Sequence, residues 1–133
     1  MAQVARCFRN NLRTETKVAR EPESMAKTES LFRDVNERIA TAADQFGSEE
    51  AEFVCECADP KCVERVGVPL EVYESVRAEP TTFILANGHE EGSIEKVVET
   101  RRRFQIVEKV NRKVVAVVRK LDPRSGAPDL EPG

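Results

Sequence analysis

At 133 residues, with a formal net charge of −3 and a mean hydropathy of −0.48, the chain has room for one modest domain and not two. No apolar run approaches the roughly 18–20 residues that cross a bilayer, and no apolar stretch follows the basic N-terminus, so neither a membrane span nor a secretory signal is expected. A cytoplasmic, reducing compartment is the expected setting, and there clustered cysteines read as metal ligands or reactive thiols before disulfides.

The charge is strongly partitioned. Residues 1–28 carry six basic and three acidic groups, residues 29–100 carry six and seventeen, and residues 101–133 carry nine and four. An acidic middle of this kind repels a phosphate backbone, which argues against general nucleic-acid binding by the body of the protein. With no Trp and one Tyr, the core must come from aliphatics and from Phe32, Phe46, Phe53, Phe83 and Phe104.

Residues 1–28 show no sustained apolar period and read as a disordered, weakly basic leader holding Cys7 as a spare thiol. Equally open is a chain start at Met25, directly before the first good helix signal. Residues 30–46 are that signal: Leu31, Phe32, Val35, Ile39, Ala42, Ala43 and Phe46 share one helical face. Arg33, Asp34, Glu37, Arg38, Thr41 and Asp44 share the other. Thr28 or Ser30 can cap the start, and Gly47 suits the left-handed position that ends it.

Glu52–Cys55 and Val63–Val68 read as short strands, and Pro69 opens a short helix in which Leu70, Tyr73, Val76 and Arg77 share a face. Thr82–Ala86 is a further strand. The segments 95–100 and 104–109 suit the two arms of a hairpin, although 94–98 also fits a helical period, and Arg101–Arg102–Arg103 lacks the Gly or Asn of a tight turn. Val114–Val118 fits strand or helix. From Asp122 onward, Pro, Gly, Ser and acids indicate a disordered tail over 122–133. A folded domain is thus expected over 29–121, between leader and tail.

Three of the four cysteines, Cys55, Cys57 and Cys62, fall within eight residues, and the single histidine, His89, follows in the turn-like Asn87–Gly88–His89. Residues i and i+2 of a strand share a face, so Cys55 and Cys57 can converge on one ion while Glu56 points away. Asp59–Pro60 can then reverse the chain and return Cys62. Three thiolates and an imidazole complete a tetrahedral zinc shell with no position left for substrate. A structural zinc of this kind contributes about 10–16 kcal/mol in small peptides. Lys61 and Arg65 lie close enough in sequence to soften the net negative charge of such a centre. An iron–sulfur cluster, metal-free redox thiols, and cysteines with no joint role remain alternatives.

His89–Glu90 could suggest acid–base catalysis, but no nucleophile stands at a recognisable spacing, and the expectation is a protein that is not an enzyme. The basic groups from Arg101 to Lys120 lack interleaved aromatics and read as a solvated face.

Several segments together resemble an uncharacterised family of small bacterial proteins. They are Leu31–Ile39, Glu52–Cys57 with Cys62, Tyr73–Arg77, Gly88–Glu90, Val107–Lys109 and Asp122–Arg124. The likeness spans residues 25–126, and family members tend to start near the position of Met25. It implies that Cys55, Cys57, Cys62 and His89 belong together, and it implies no activity. It departs at Arg101–Arg103, where the family has a Gly-containing turn.

The expectation is therefore an α+β domain, an N-terminal amphipathic helix on a small antiparallel sheet stapled by Cys₃His zinc. It would act as a non-catalytic interaction or regulatory module whose partner is another protein. A zinc–thiol redox sensor is one alternative. A nucleic-acid-associated protein using the basic C-terminal third is another.

Overall fold

The computed structural model describes residues 21–124. Helix α1 (Pro22–Gln45) leads into the strands β1 (Glu50–Val54) and β2 (Arg65–Pro69), and helix α2 (Leu70–Arg77) follows without a break. Strands β3 (Thr82–Leu85), β4 (Glu95–Thr100) and β5 (Gln105–Lys109) come next, then helix α3 (Arg112–Leu121). The fold class is α+β. β1 and β2 pair antiparallel, with Phe53 opposite Val66, and β3, β5 and β4 form a second antiparallel sheet in that order. The sheets meet where Glu56 N donates to Ile84 O at 2.9 Å. α1 lies against α3 and β1.

Local chemistry accounts for most boundaries. Pro69, with extended backbone, caps α2, and Tyr73, Val76 and Arg77 turn inward as expected. The ambiguous segment 114–118 is helical because Asn111 caps α3, its Oδ1 accepting from Lys113 N and Val114 N. Gly47, at φ +72°, ends α1 in the left-handed conformation that favours glycine. The arms 95–100 and 105–109 form the hairpin despite the glycine-free turn. Arg101 N donates to Phe104 O at 2.8 Å, and Asn87 Nδ2 reaches across to both Arg101 O and Arg102 O at 3.1 Å. A side chain from another loop thus satisfies carbonyls that the turn leaves unpaired.

Two boundaries differ from expectation. α1 starts at Pro22 and not near residue 30, since proline at a helix start forfeits no hydrogen bond. Residues 22–28, expected in the leader, therefore belong to the helix, and Met25 and Ala26 are core residues. Cys7 lies outside the described residues. At the other end, Asp122 is buried against Arg77 at 2.5 Å, and Arg124 forks across Glu37 and Glu74. Residues 122–124 are thus held by ion pairs, which a reading by composition cannot see.

The larger correction concerns which face of α1 is inside. Leu31 is 67% exposed and Phe46 85%, whereas Arg33 is 1% exposed and Glu29 and Asn36 are fully buried. Phe32 and Ile39 are only half-buried. The reason is a set of polar groups waiting on the strands. Arg33 donates to Pro80 O at 3.0 Å and to Thr82 O, and its guanidinium sits 3.6 Å from the centroid of Phe83. Asn36 takes both backbone groups of Val54, Oδ1 accepting its N–H at 2.8 Å and Nδ2 donating to its O at 2.9 Å. Leaving such groups buried and unpaired costs about 1–3 kcal/mol each, which a row of leucines could not remedy.

Glu29 shows the strain of this choice. It shares Lys109 with Glu95, Lys109 Nζ standing 2.8 Å from Glu29 Oε2, and its Oε1 has no hydrogen-bond partner among the described residues. Burial pushes the Glu29 carboxyl up to about 8; Lys109 only partly opposes this, and Glu95 adds to it. Glu37 goes the other way. Burial would raise it, but hydrogen bonds from Arg124, Tyr73 and Arg77 hold it down at about 2. The folded protein therefore keeps a proton on Glu29 that the unfolded chain releases above about pH 4.5. That contribution to stability is complete below this value and lost as pH rises through about 8. Because other groups titrate nearby, the difference between Glu29→Gln and wild type isolates it. Urea unfolding between pH 6 and 9 should show the variant gaining on wild type by at most about 1.4 kcal/mol per pH unit. A difference that does not change with pH rules the assignment out.

Candidate metal centre

β1 carries the chain to Cys55, whose N–H donates to Glu64 O at 3.1 Å and so extends the hairpin by one bond. The next residue crosses to the other sheet through Glu56 N, which turns Cys55 and Cys57 toward the same side. Asp59 then builds the reversal expected of Asp59–Pro60: its Oδ1 accepts Lys61 N at 2.9 Å and its backbone O accepts Cys62 N at 3.1 Å. Cys62 is returned to the first two sulfurs.

β3 delivers the fourth group. Beyond Leu85 the chain closes a turn through His89 N to Ala86 O at 3.1 Å, with Gly88 at φ +87°. A side chain there would be strained, so glycine is required beside His89. His89 Nδ1 lies 3.5 Å from Cys55 Sγ and 3.6 Å from Cys62 Sγ. One ligand atom from each of Cys55, Cys57, Cys62 and His89 falls within 4.8 Å of the others. All four residues anticipated from sequence are brought together, Cys55 and Cys57 buried and Cys62 and His89 partly accessible. They form a group that could hold a metal ion.

The three thiols are close enough to influence one another's protons. Cys55 donates to Cys57, which draws Cys57 down to about 5 against the opposing effect of burial. The same bond, reinforced by burial, pushes Cys55 up. Three sulfurs this close are hard to ionise together, and a divalent cation removes that conflict.

The surroundings hold the group in place. Ala86 N donates to Cys55 Sγ at 3.2 Å, so a backbone amide spreads the sulfur charge, while Lys61 and Arg65 are exposed. Gln105 anchors the histidine loop, its Oε1 3.4 Å from Gly88 N and its Nε2 donating to Glu90 Oε1 at 2.6 Å. Asn87 ties the same loop to the β4–β5 turn. The sequence reading missed Asn87, Gln105 and Ala86, since none belongs to a spacing motif. Glu56 points away from the cysteine–histidine group, as expected. Its carboxylate is fully buried and accepts from Asn36 Nδ2 at 2.9 Å and Ile84 N at 3.1 Å, with Arg33 Nη2 at 3.4 Å.

Comparisons with protein-family models, curated proteins and solved structures found no match to the chain. The likeness to small bacterial proteins thus rests on its motifs alone. Among the described residues, no helix is long and apolar enough to cross a membrane.

Titration with Co²⁺, followed by its visible and thiolate charge-transfer bands, measures the contribution of each group. His89→Ala and Cys57→Ser should each weaken binding more than about 100-fold. Asn87→Ala, which only holds the loop, should fall at the low end of the 10–100-fold range of outer partners. Equal effects for Asn87 and His89 would place the histidine outside the ligand set.

Proposed function

We propose that Cys55, Cys57, Cys62 and His89 bind one Zn²⁺ as a closed structural centre, in a cytoplasmic protein that works as a non-catalytic interaction or regulatory module. The supporting observation is a spacing. Zinc–sulfur bonds of about 2.3 Å and zinc–nitrogen bonds of about 2.0–2.1 Å at tetrahedral angles put sulfur and nitrogen about 3.6 Å apart. His89 Nδ1 stands 3.5 Å from the sulfur of Cys55 and 3.6 Å from that of Cys62. Four protein ligands leave no position for a reactive water, which favours a structural ion over a catalytic one. Glu90, the one candidate acid–base partner, is exposed and engaged by Gln105.

The ion does mechanical work. It joins the end of β1, the reversal at Asp59 and the loop after β3, elements that are otherwise linked by few backbone bonds. Closing loops across so many residues removes conformational freedom from the unfolded chain. The surface thus held in shape is acidic through residues 29–100, and its fitting partner is a basic protein.

A redox reading draws on one specific feature. Cys62 is the partly exposed cysteine of the set, and oxidants would reach it first. Metal analysis and calorimetry test the primary proposal. Protein purified without added metal should carry one zinc per chain, and a strong chelator should lower Tm by more than about 10 °C, at least about 2 kcal/mol for a domain of this size. Protein that is metal-free as isolated, with a Tm indifferent to zinc and chelator, defeats it.

A further inference from the structure

Glu56 stands between two ligands in sequence, yet its carboxylate belongs to the other side of the strand. It is wholly shielded from water and receives groups from two elements, Arg33 and Asn36 from α1 and Ile84 N from β3. β3 is the strand that delivers His89, and two residues beyond Ile84 the backbone of Ala86 hydrogen bonds to Cys55 Sγ at 3.2 Å. Asn36 adds a second fastening one residue before the first ligand, gripping both backbone groups of Val54. The segment that follows β1 and presents Cys55 and Cys57 therefore turns its sulfurs to the ligand group on one side and Glu56 to the helix on the other.

Charge makes this junction conditional. A buried carboxylate and a buried guanidinium are tolerable only while they stay paired, and a shift of the strand strands both. α1 has little apolar compensation along this stretch, since Leu31 and Val35 face outward. Its seat depends on Glu56 being where the cysteine knuckle puts it.

On these grounds we infer that Glu56 and Asn36 couple the loading of the metal centre to the docking of α1, so that this helix is the element through which metal occupancy is read. The inference rests on the four-ligand reading above and assigns that site its regulation. Coupling of this kind is reciprocal: whatever holds α1 in place tightens the metal, and whatever draws α1 away loosens it. Glu56 and Asn36 are positioning residues here; neither is a ligand.

The test uses the full chain. Zinc affinity is measured by competition against a chromophoric chelator for wild type, Asn36→Ala, Glu56→Gln and the double variant. Each single change should weaken zinc at least tenfold, although neither removes a ligand. The double variant should be within about threefold of the weaker single, because both act through one junction. Hydrogen exchange on wild type supplies a measurement that needs no variant. Removing zinc should speed exchange over 33–40 of α1 at least tenfold more than over 105–109 of β5. Affinities within twofold of wild type, independent losses in the double variant, or a uniform rise in exchange would each overturn the coupling. Wild type that fails to bind one zinc or Co²⁺ per chain overturns the four-ligand reading as well. Normal binding with indifferent variants overturns the coupling alone.

Discussion

Pairing of buried charge is the constraint on which this structure turns. Arg33, Glu56, Glu95, Lys109, Arg77 and Asp122 are all within a tenth of full burial, and each lies within ion-pairing distance of another charged group. Isolated ions in such places would cost several kcal/mol apiece, so the elements that carry them can occupy only arrangements that keep the partners together. The same logic applies to three sulfurs and an imidazole crowded within 4.8 Å, which reach a stable joint state most simply around a cation. Polar contacts, more than apolar bulk, decide how the elements of this domain are placed.

Two cores are joined in this way. The stacked rings of Phe53 and Tyr73, 4.3 Å apart, anchor one between β1, β2 and α2. Phe83, Leu85, Ile94 and Val107 anchor the other with Cys55 and Cys57. β3 serves both, since Ile84 faces the first and its neighbours Phe83 and Leu85 face the second. The alternation of a strand thus divides one short segment between two interiors. Glu56 N bonds across to that same strand, which places the cysteine–histidine group at the seam.

The site was legible in the sequence because its signals are local and chemical. Cys55 and Cys57 two apart, a turn at Asp59–Pro60, and a glycine before His89 each prescribe a geometry without help from the rest of the chain. Two helix boundaries were legible for the same reason, since Gly47 and Pro69 act within a turn of themselves; the start of α1 at Pro22 and the cap at Asn111 were not. The face of α1 was not. Periodicity ranks Leu31, Val35 and Phe46 above Arg33 and Asn36 as interior residues, because it scores a side chain against water and not against a particular carbonyl. What reversed the ranking were partners 18 to 49 residues away: Val54, Glu56, Pro80 and Thr82. The arginine turn at 101–103 misled in the same manner, since the group that completes it, Asn87, comes from 14 residues earlier in the chain.

A helix docked by its polar face behaves differently from one docked by grease. Apolar packing tolerates sliding, because a leucine displaced by one turn still meets apolar surface. Asn36 gripping both backbone groups of Val54 tolerates none; a shift of a single residue loses both bonds and leaves Glu56 and Arg33 without their partners. The domain gains a unique seat for α1 at the cost of a weaker hydrophobic contribution, and it leaves Leu31, Val35 and Phe46 facing outward. In a chain with so few aromatics, that uniqueness needs a rigid counterpart on the strand side. Glu56 sits between Cys55 and Cys57, so whatever fixes the two sulfurs fixes its carboxylate as well. The placing of the cysteine–histidine group and the seat of the helix are therefore set by one short segment.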